Sequence, residues 1–338
     1  MAYYQRMTSA APLIDAHDRA VRYVRLSVTD RCDLRCTYCM PRDQKFAPRH
    51  DLLSLEELDR LASLFVAHGV DRIRITGGEP LVRSDTLPLM RRLSRHLETG
   101  LSELLLTTNG TRLARHADDL AALGMRRVNV SLDSLDPNRF AAITRLGQLD
   151  TVLEGIAAAK AAGLRIKINM VVDGAHNADE VVDMVQWAHG EGHDIVLIEK
   201  MPMASGAADA EYLSLATVKE RLAERWTLQP TERRTAGPSR YYRVKETGGD
   251  IGFIAPMSGN FCASCNRIRI TANGRLYPCL GHDLYFDFRH LMRSGGDDTA
   301  LAALIGKALR QKPAEHDFVA AISEQRPAVS RAMAVTGG

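Results

Sequence analysis

Three cysteines stand close together near the start of the chain, at Cys32, Cys36 and Cys39. Thiolates this close repel one another and are rarely left bare, so their spacing predicts a metal centre. A [4Fe-4S] cluster usually takes four cysteines, and three would leave one iron open to a small chelating molecule. That arrangement favours chemistry over a purely structural role. For this triplet alone, a disulfide or a zinc knuckle is the structural alternative.

A second set of thiols lies far along the chain, at Cys262, Cys265 and Cys279. With His282 these cysteines could complete a Cys3His zinc site, and spacing alone favours zinc and a second iron–sulfur cluster equally. The six cysteines divide three and three with none left over. This division favours two sites of the same kind.

Two arginines stand between these thiols, at Arg267 and Arg269. On an extended segment, side chains two residues apart point to the same side. Together the two guanidinium groups could clamp an anionic substrate. As mere surface cations they would contribute little.

The composition indicates the general class of protein. The chain has 338 residues, of which 45% are hydrophobic and 25% charged, as in an ordinary globular protein. Residues 1–20 lack an apolar core of signal-peptide length, and no later run approaches a membrane span. We therefore expect a cytoplasmic protein, in which clustered cysteines more often bind metal than form disulfides. The formal charge of +3 gives no case for a nucleic-acid partner.

Apolar, β-rich segments alternate with helical patterns through the first two thirds of the chain. Such alternation predicts a parallel sheet with both faces covered. Six βα units are two short of a closed eightfold barrel, so we predict an α/β fold with an incomplete (β/α)6 TIM-type barrel. The predicted strands are Val21–Val28, Arg72–Thr76, Glu103–Thr107, Arg127–Ser131, Arg165–Val171 and Asp194–Ile198. The predicted helices are Leu52–His68, Thr86–Leu97, Leu113–Leu123, Thr151–Ala162, Ala178–Gly190 and Leu213–Glu224.

Polar or glycine-rich motifs follow several of these strands, as in Gly77-Gly78-Glu79. Their recurrence at one rim of the sheet predicts a shared pocket, although each alone is an ordinary loop. Adjacent glycines would let a ligand approach the backbone, and Glu79 could accept from an ammonium group. The strand-end motifs are 76–80, 107–110, 131–134 and 199–202.

The pattern changes after Arg225. Segments Tyr241–Lys245 and Ile251–Ile254 read as an antiparallel hairpin turned at residues 248–250. We place a domain boundary near Gly237-Pro238. The predicted units are an N-terminal extension (1–20), the partial barrel (21–236) and a C-terminal α+β auxiliary-cluster domain with a double-glycine tail (237–338).

Two sets of motifs in the sequence resemble known enzyme families. The first cysteine triplet and Gly77-Gly78-Glu79-Pro80 resemble the signature of radical S-adenosylmethionine (SAM) enzymes. The two cysteine sets together resemble the GTP 3′,8-cyclases, the family of molybdenum cofactor biosynthesis protein A, from about Leu13 to the last residue. The segments that carry this narrower resemblance are Val28–Pro41, Asn129–Ser134, Phe261–Arg267 and Gly337-Gly338.

The resemblance implies two [4Fe-4S] clusters and SAM as cofactors. The first triplet would hold a cluster whose open iron is chelated by the amino and carboxylate groups of SAM, and cleavage of SAM would give a 5′-deoxyadenosyl radical. The second triplet would hold a cluster whose open iron binds the guanine of GTP. His282 would then have no metal role. The residues implied at the SAM site are Tyr38, Gly78, Ser131 and Met201.

The resemblance also implies a reaction. The radical would take the 3′ hydrogen of the ribose, and C3′ would bond to guanine C8, giving 3′,8-cyclo-7,8-dihydro-GTP in the first step of molybdenum cofactor biosynthesis. Arg25, Arg267 and Arg269 are expected to be catalytic, and the double-glycine tail is expected to enter the active site. The residues implied to contact GTP are Arg25, Arg74, Thr107, Lys167, Arg267 and Arg269.

Expected partners are GTP, an electron donor, a downstream cyclic pyranopterin monophosphate synthase and a second copy of the chain in a homodimer, with no nucleic acid and no membrane. One alternative is another radical SAM enzyme with an auxiliary cluster, such as a peptide-modifying maturase. That class predicts further cysteines beyond Cys279, and the sequence has none. A non-enzymatic zinc module would leave the six βα units around the first triplet unexplained.

Overall fold

A computed structural model describes residues 12–204, 212–235 and 237–337. Its strands form a single twelve-stranded sheet with helices packed against it. The strands are β1 (Tyr23–Ser27), β2 (Arg72–Thr76), β3 (Glu103–Thr108), β4 (Arg127–Ser131), β5 (Arg165–Val172), β6 (Asp194–Glu199), β7 (Leu228–Pro230), β8 (Arg240–Val244), β9 (Asp250–Ile254), β10 (Arg267–Ile270), β11 (Arg275–Tyr277) and β12 (Phe286–Asp287). The helices are α1 (Leu55–Ala67), α2 (Thr86–Ser94), α3 (Leu113–Ala122), α4 (Pro137–Thr144), α5 (Leu149–Ala161), α6 (Val181–Gly190), α7 (Leu215–Arg225), α8 (Phe288–Arg293), α9 (Asp298–Arg310), α10 (Phe318–Ser323) and α11 (Met333–Thr336).

Strands β1 to β6 lie side by side in chain order, and each pairs parallel with the next. This arrangement confirms the six predicted βα units and the incomplete barrel. Ile73, Leu106, Val128 and Ile168 are fully buried in successive strands, as expected for a sheet covered on both faces. Because the strands are parallel, their carboxyl ends lie along one rim.

Helix α1 shows how local capping sets an element boundary. Ser54 Oγ accepts from the Glu57 N–H at 3.1 Å, and Glu57 Oε2 accepts from the Ser54 N–H at 2.7 Å, which together form a capping box. With Ser54 as N-cap the helix begins at Leu55, inside the predicted range from Leu52, and the preceding Leu53 N–H donates to the Ala272 carbonyl at 2.8 Å.

Helix α4 was absent from the sequence prediction. Its signals are Pro137 in the first turn and Asp136, whose side chain accepts from the Arg139 N–H. The helix occupies the connection between β4 and α5, where the sequence analysis assigned a single helix from residue 151.

The strands after residue 225 extend both edges of the barrel sheet. Strands β8 and β9 form the predicted antiparallel hairpin, and β9 pairs parallel with β6. At the opposite edge β10 pairs parallel with β1, and β11 and β12 follow antiparallel. The proposed boundary near Gly237-Pro238 therefore falls within the β7–β8 connection of one continuous sheet. Of the helices in the described ranges, none has the length and apolar character needed to span a membrane.

Candidate active site

One cavity is lined by every residue that the family resemblance implied for the cluster, SAM and GTP sites. Both cysteine triplets therefore face the same chamber, although more than two hundred residues separate them in the chain. The predicted residues in the wall are Arg25, Cys32, Cys36, Tyr38, Cys39, Arg74, Gly78, Thr107, Ser131, Lys167, Met201, Cys262, Cys265, Arg267, Arg269 and Cys279.

The first triplet lies on the loop that follows β1. The Leu34 N–H donates to Cys32 Sγ at 3.3 Å, and Asn109 Nδ2 lies 3.7 Å from the same sulfur. Burial raises the pKa of the Cys32 and Cys39 thiols to about 12. Buried thiolates therefore need a positive partner, which the irons of a cluster supply. Three thiols on one short loop, with donors aimed at a sulfur, fit a three-cysteine [4Fe-4S] site.

Tyr38, between the second and third of these thiols, is fixed by a buried carboxylate. Its hydroxyl donates to Asp133 Oδ2 at 2.7 Å, while Asp133 Oδ1 accepts from the Val171 N–H at 2.8 Å. Burial raises the pKa of Asp133 to about 6 despite these two donors. The pair ties the cysteine loop to the ends of β4 and β5.

The Gly77-Gly78 loop packs against the backbone that leads to Cys32. A Cβ on Gly78 would lie 2.4 Å from the Arg31 carbonyl oxygen, and the Gly78 N–H donates to the Thr29 carbonyl at 2.8 Å. Glycine is therefore required here by the chain's own loop, while Gly78 also lines the cavity.

Glu79 does not present its carboxylate for a ligand's ammonium group, contrary to the expectation from sequence. The side chain is fully buried and accepts from Thr108 Oγ1 at 2.9 Å, from the Asn109 N–H at 2.6 Å and from the Leu81 N–H at 2.9 Å. Burial raises its pKa to about 7. Glu79 thus joins the ends of β2 and β3.

The second triplet is surrounded by a different charge environment. Burial raises the pKa of Cys262 and Cys279. Burial acts the same way on Cys265, but the Arg267 guanidinium and the Lys312 ammonium outweigh it and bring the pKa of this thiol down to about 7. Cys265 is therefore already prepared to carry negative charge.

His282 is engaged by protein groups, which argues against the Cys3His zinc alternative. Its Nε2 lies 2.9 Å from the Glu315 carbonyl oxygen, and its Nδ1 lies 3.5 Å from Asp317 Oδ2. Both ring nitrogens therefore have partners other than a metal shared with the cysteines.

Three arginines stand in register on neighbouring strands. Arg25 on β1 is the lateral partner of Arg74 on β2 and of Arg269 on β10. Residues in register point to the same face, so the three guanidinium groups form a row in the cavity wall. Burial and the nearby Arg74 and Arg267 lower the pKa of Arg25 to about 10, although the Tyr23 phenol opposes them. Such crowding of like charge is relieved by an anionic ligand.

Lys167 adds a further cation to this wall. Its Nζ donates to the hydroxyl of Tyr241. Burial, followed by repulsion from Arg127 and Arg74, places the pKa of Lys167 well below its usual value. Arg74 itself donates to the Leu106 carbonyl at 3.1 Å and to Thr107 Oγ1 at 3.2 Å, which brings Thr107 to the same place.

The remaining two predicted SAM-site residues lie at the carboxyl ends of β4 and β6, on either side of β5. Ser131 ends β4, and Met201 follows β6 and packs against the small apolar cluster of Met203, Phe318 and Val329. Their roles toward SAM stay predictions.

The C-terminal tail enters this chamber. Arg269 Nη1 donates to the Gly337 carbonyl at 2.5 Å, and Thr336 is fully buried. Gly337 has φ +74°, and a Cβ there would lie 2.2 Å from Thr76 Oγ1. The other member of the predicted double-glycine pair, Gly338, lies outside the described residues.

Several groups that shape this site were not predicted from the sequence. Tyr23 lines the cavity two residues before Arg25, so the period of the strand could have placed it on the same face. Arg19 and Lys312 left no such signal. Arg19 is buried and donates to the carbonyls of Cys262 at 2.9 Å and Ala314 at 2.7 Å, contacts between residues far apart in the chain.

Two family models match the chain. The radical SAM superfamily matches residues 26–188, and the family described as Molybdenum Cofactor Synthesis C matches residues 193–318. The first range begins within β1 and contains β2 to β5 and the first triplet. The second contains the whole second triplet.

Curated relatives match over nearly the full length. The GTP 3′,8-cyclase of Bradyrhizobium diazoefficiens is 53% identical over 337 residues, which cover 98% of each chain. The GTP 3′,8-cyclase of Paracoccus denitrificans is 52% identical over 340 residues, covering 100% of this chain and 99% of the relative. Among solved structures, Streptococcus suis SuiB bound to S-adenosylmethionine superposes with a TM-score of 0.65 at 14% identity, covering 94% of this chain and 78% of SuiB. The likeness to SuiB concerns the fold alone.

Proposed function

The chain belongs to the GTP 3′,8-cyclase family of radical SAM enzymes, and from this we propose how its residues carry out the reaction. It is a radical SAM GTP cyclase of molybdenum cofactor synthesis, with [4Fe-4S] clusters and SAM as its cofactors. The product is 3′,8-cyclo-7,8-dihydro-GTP.

The observation that supports the assignment best is the row of cations in the cavity that both cysteine sets line. Arg25, Arg74 and Arg269 stand side by side, and Lys167 adds a fourth positive group to the same wall. A nucleoside triphosphate carries several negative charges, which guanidinium forks and an ammonium can satisfy. We assign these residues, with Thr107 and Arg267, to GTP.

Cys32, Cys36 and Cys39 would hold the cluster that binds SAM, and Cys262, Cys265 and Cys279 would hold the cluster that binds guanine. When bound, the first cluster and SAM supply a carbon-centred radical, and the second supplies an iron that holds the base. Tyr38, Gly78, Ser131 and Met201 are the proposed SAM contacts, and all four line the same cavity.

The chain's own residues mainly position the substrate and exclude water. Arg25, Arg267 and Arg269 are the proposed catalytic residues, because they line the cavity that both triplets line. The Gly337 carbonyl fixes Arg269 from the side of the tail. Holding the ribose between two fixed cofactor sites would lower the entropic part of the barrier for hydrogen transfer.

An isotope experiment tests this function directly. The full chain, reconstituted without oxygen, is mixed with SAM, a low-potential reductant and GTP deuterated at C3′. We expect deuterium in 5′-deoxyadenosine and a cyclised dihydro-GTP product in equal amounts. Deuterium-free 5′-deoxyadenosine with unreacted GTP would contradict the cyclase. Arg269→Met should reduce the product, whereas Arg234→Met, a matched change at an exposed arginine, should not.

Several partners extend the proposal. A one-electron donor would reduce the first cluster, and a cyclic pyranopterin monophosphate synthase would take the product. We also propose a cytoplasmic location, a homodimer, and the three units bounded at residues 20 and 236. The peptide-modifying maturase is not favoured, since the curated relatives that are 53% and 52% identical in sequence are GTP 3′,8-cyclases.

A further inference from the structure

A buried ammonium lies against the second cysteine triplet. Lys312 is 3% exposed, and its Nζ lies 3.5 Å from Cys265 Sγ. The same Nζ donates to the carbonyl oxygen of Pro278 at 2.9 Å and to that of Arg267 at 3.2 Å. A lysine ammonium has three donors and no acceptor, so these contacts use it fully. One ammonium thus bridges the segments that carry Cys265 and Cys279.

Lys312 approaches Cys265 from outside the chamber. In the described part of the chain, the cavity wall includes Cys265 and Arg267 but not Lys312. Arg267 lies over the ring of Phe261 at 5.0 Å, and its Nη2 is 4.0 Å from Cys265 Sγ. Arg267 can therefore contact both substrate and sulfur, whereas Lys312 is directed at sulfur and backbone.

A buried cation is costly unless a negative group compensates it, and a neutral side chain of similar size would fill the space without that cost. A [4Fe-4S] cluster held by three thiolates carries net negative charge, and reduction adds one more. Donors to the cluster's sulfurs favour the reduced state and raise the reduction potential.

We propose that Lys312 is a positioning residue of the second cluster, whose ammonium orients the Cys265 thiolate and balances the cluster's negative charge. The inference rests on the proposed function, because it takes Cys262, Cys265 and Cys279 to hold a [4Fe-4S] cluster. Lys312 acts through Cys265 and has no contact with the substrate chamber. The hydrogen bonds to Arg267 and Pro278 hold the ammonium at the sulfur.

The test compares three variants of the reconstituted full chain. Lys312→Met removes the charge and the donors, while Lys312→Gln removes the charge but keeps an N–H donor. Lys307→Met is the matched control, because it removes one exposed lysine charge five residues earlier. For each variant, iron content is measured and reduction potentials are determined by a potentiometric titration followed by EPR. The EPR signal that changes on adding SAM is assigned to the first cluster.

We expect both Lys312 variants to lower the potential of the signal that does not respond to SAM. The oxidised-to-reduced ratio at a fixed potential should rise at least tenfold, about 59 mV for a one-electron couple. Lys307→Met should leave it unchanged. Parent-like potentials in both Lys312 variants would overturn the proposal, and a parent-like potential in Lys312→Gln alone would assign the effect to hydrogen bonding.

Loss of the second cluster gives a separate outcome. The Lys312 variants could retain only about four irons per chain, while their cluster-free forms unfold at the same temperature as the cluster-free parent. In that case the charge of Lys312 is required for assembly of the second cluster, as proposed. If the cluster-free forms are destabilised as well, Lys312 stabilises the fold of the loops that carry the cysteines rather than the cluster, and the proposal fails. If the parent itself binds about four irons, the two-cluster assignment fails, independently of Lys312.

Discussion

Substituting Gly337 tests whether the tail must dock for the reaction. In Gly337→Ala the backbone at φ +74° would strain by about 1–3 kcal/mol. The added Cβ would also lie 2.2 Å from Thr76 Oγ1 and 2.9 Å from Thr76 Cβ, and overpacking of this kind costs about 1–3 kcal/mol more. Thr76 is buried at the end of β2 and cannot move aside easily. The combined cost of at least about 2 kcal/mol would weaken tail docking by roughly 30-fold or more.

Undocking would release Arg269 from the Gly337 carbonyl, so we expect less cyclised product for each SAM molecule cleaved. The assay is the ratio of cyclised product to 5′-deoxyadenosine, with a chain ending at Thr336 as the undocked reference. Thr76→Ala combined with Gly337→Ala removes the 2.2 Å contact but keeps the backbone strain, so it should recover part of the loss. A Gly337→Ala enzyme whose ratio of cyclised product to 5′-deoxyadenosine stays within about twofold of the parent would refute the reasoning. A cost of about 2 kcal/mol corresponds to a more than tenfold change in the docking equilibrium of the tail.

Three further changes probe other parts of the site. His282→Ala should leave about eight irons per chain by chemical analysis, since both ring nitrogens contact protein groups; a fall to about four would return the histidine to the metal site. Lys167 has a lowered pKa, so its charge is present below that pKa and lost as pH rises through it. The KM for GTP should therefore rise with pH in the parent and depend less on pH in Lys167→Met; equal pH profiles would contradict this. Glu199, fully buried, accepts from the Leu215 N–H at 3.0 Å and the Met257 N–H at 2.9 Å. Glu199→Gln should cost about 2 kcal/mol in urea unfolding of the cluster-free chain, whereas Glu220→Gln on the exposed face of α7 should cost little, and equal midpoints would argue against the buried role.

The sequence contained enough information for the barrel and for the members of the cavity wall. Strand and helix periods are local, so β1 to β6 were predicted to within a few residues. The resemblance then supplied site residues that no period could give, such as Lys167 and Met201. Glu79 was misjudged because its position in a glycine-rich loop does not reveal that Thr108 and the Asn109 N–H already occupy its oxygens.

The long-range contacts could not be predicted from the sequence. Nothing in the order of residues indicates that β10 pairs with β1, yet this pairing sets Arg269 beside Arg25. The same holds for Arg19, which lies in the predicted N-terminal extension but donates to the carbonyl of Cys262. Such contacts depend on how distant segments of the chain come together, which local patterns do not encode.

The pairing of β10 with β1 and of β9 with β6 bears on how the protein could be divided or recombined. A fragment ending before β8 would expose hydrogen-bonding groups along two lateral borders of the barrel, which favours self-association. A chimera that exchanges the C-terminal half between relatives must preserve both the β1–β10 and the β6–β9 strand pairings. A one-residue shift in the register of the β1–β10 pairing would turn Arg269 away from Arg25 and toward the opposite face of the sheet.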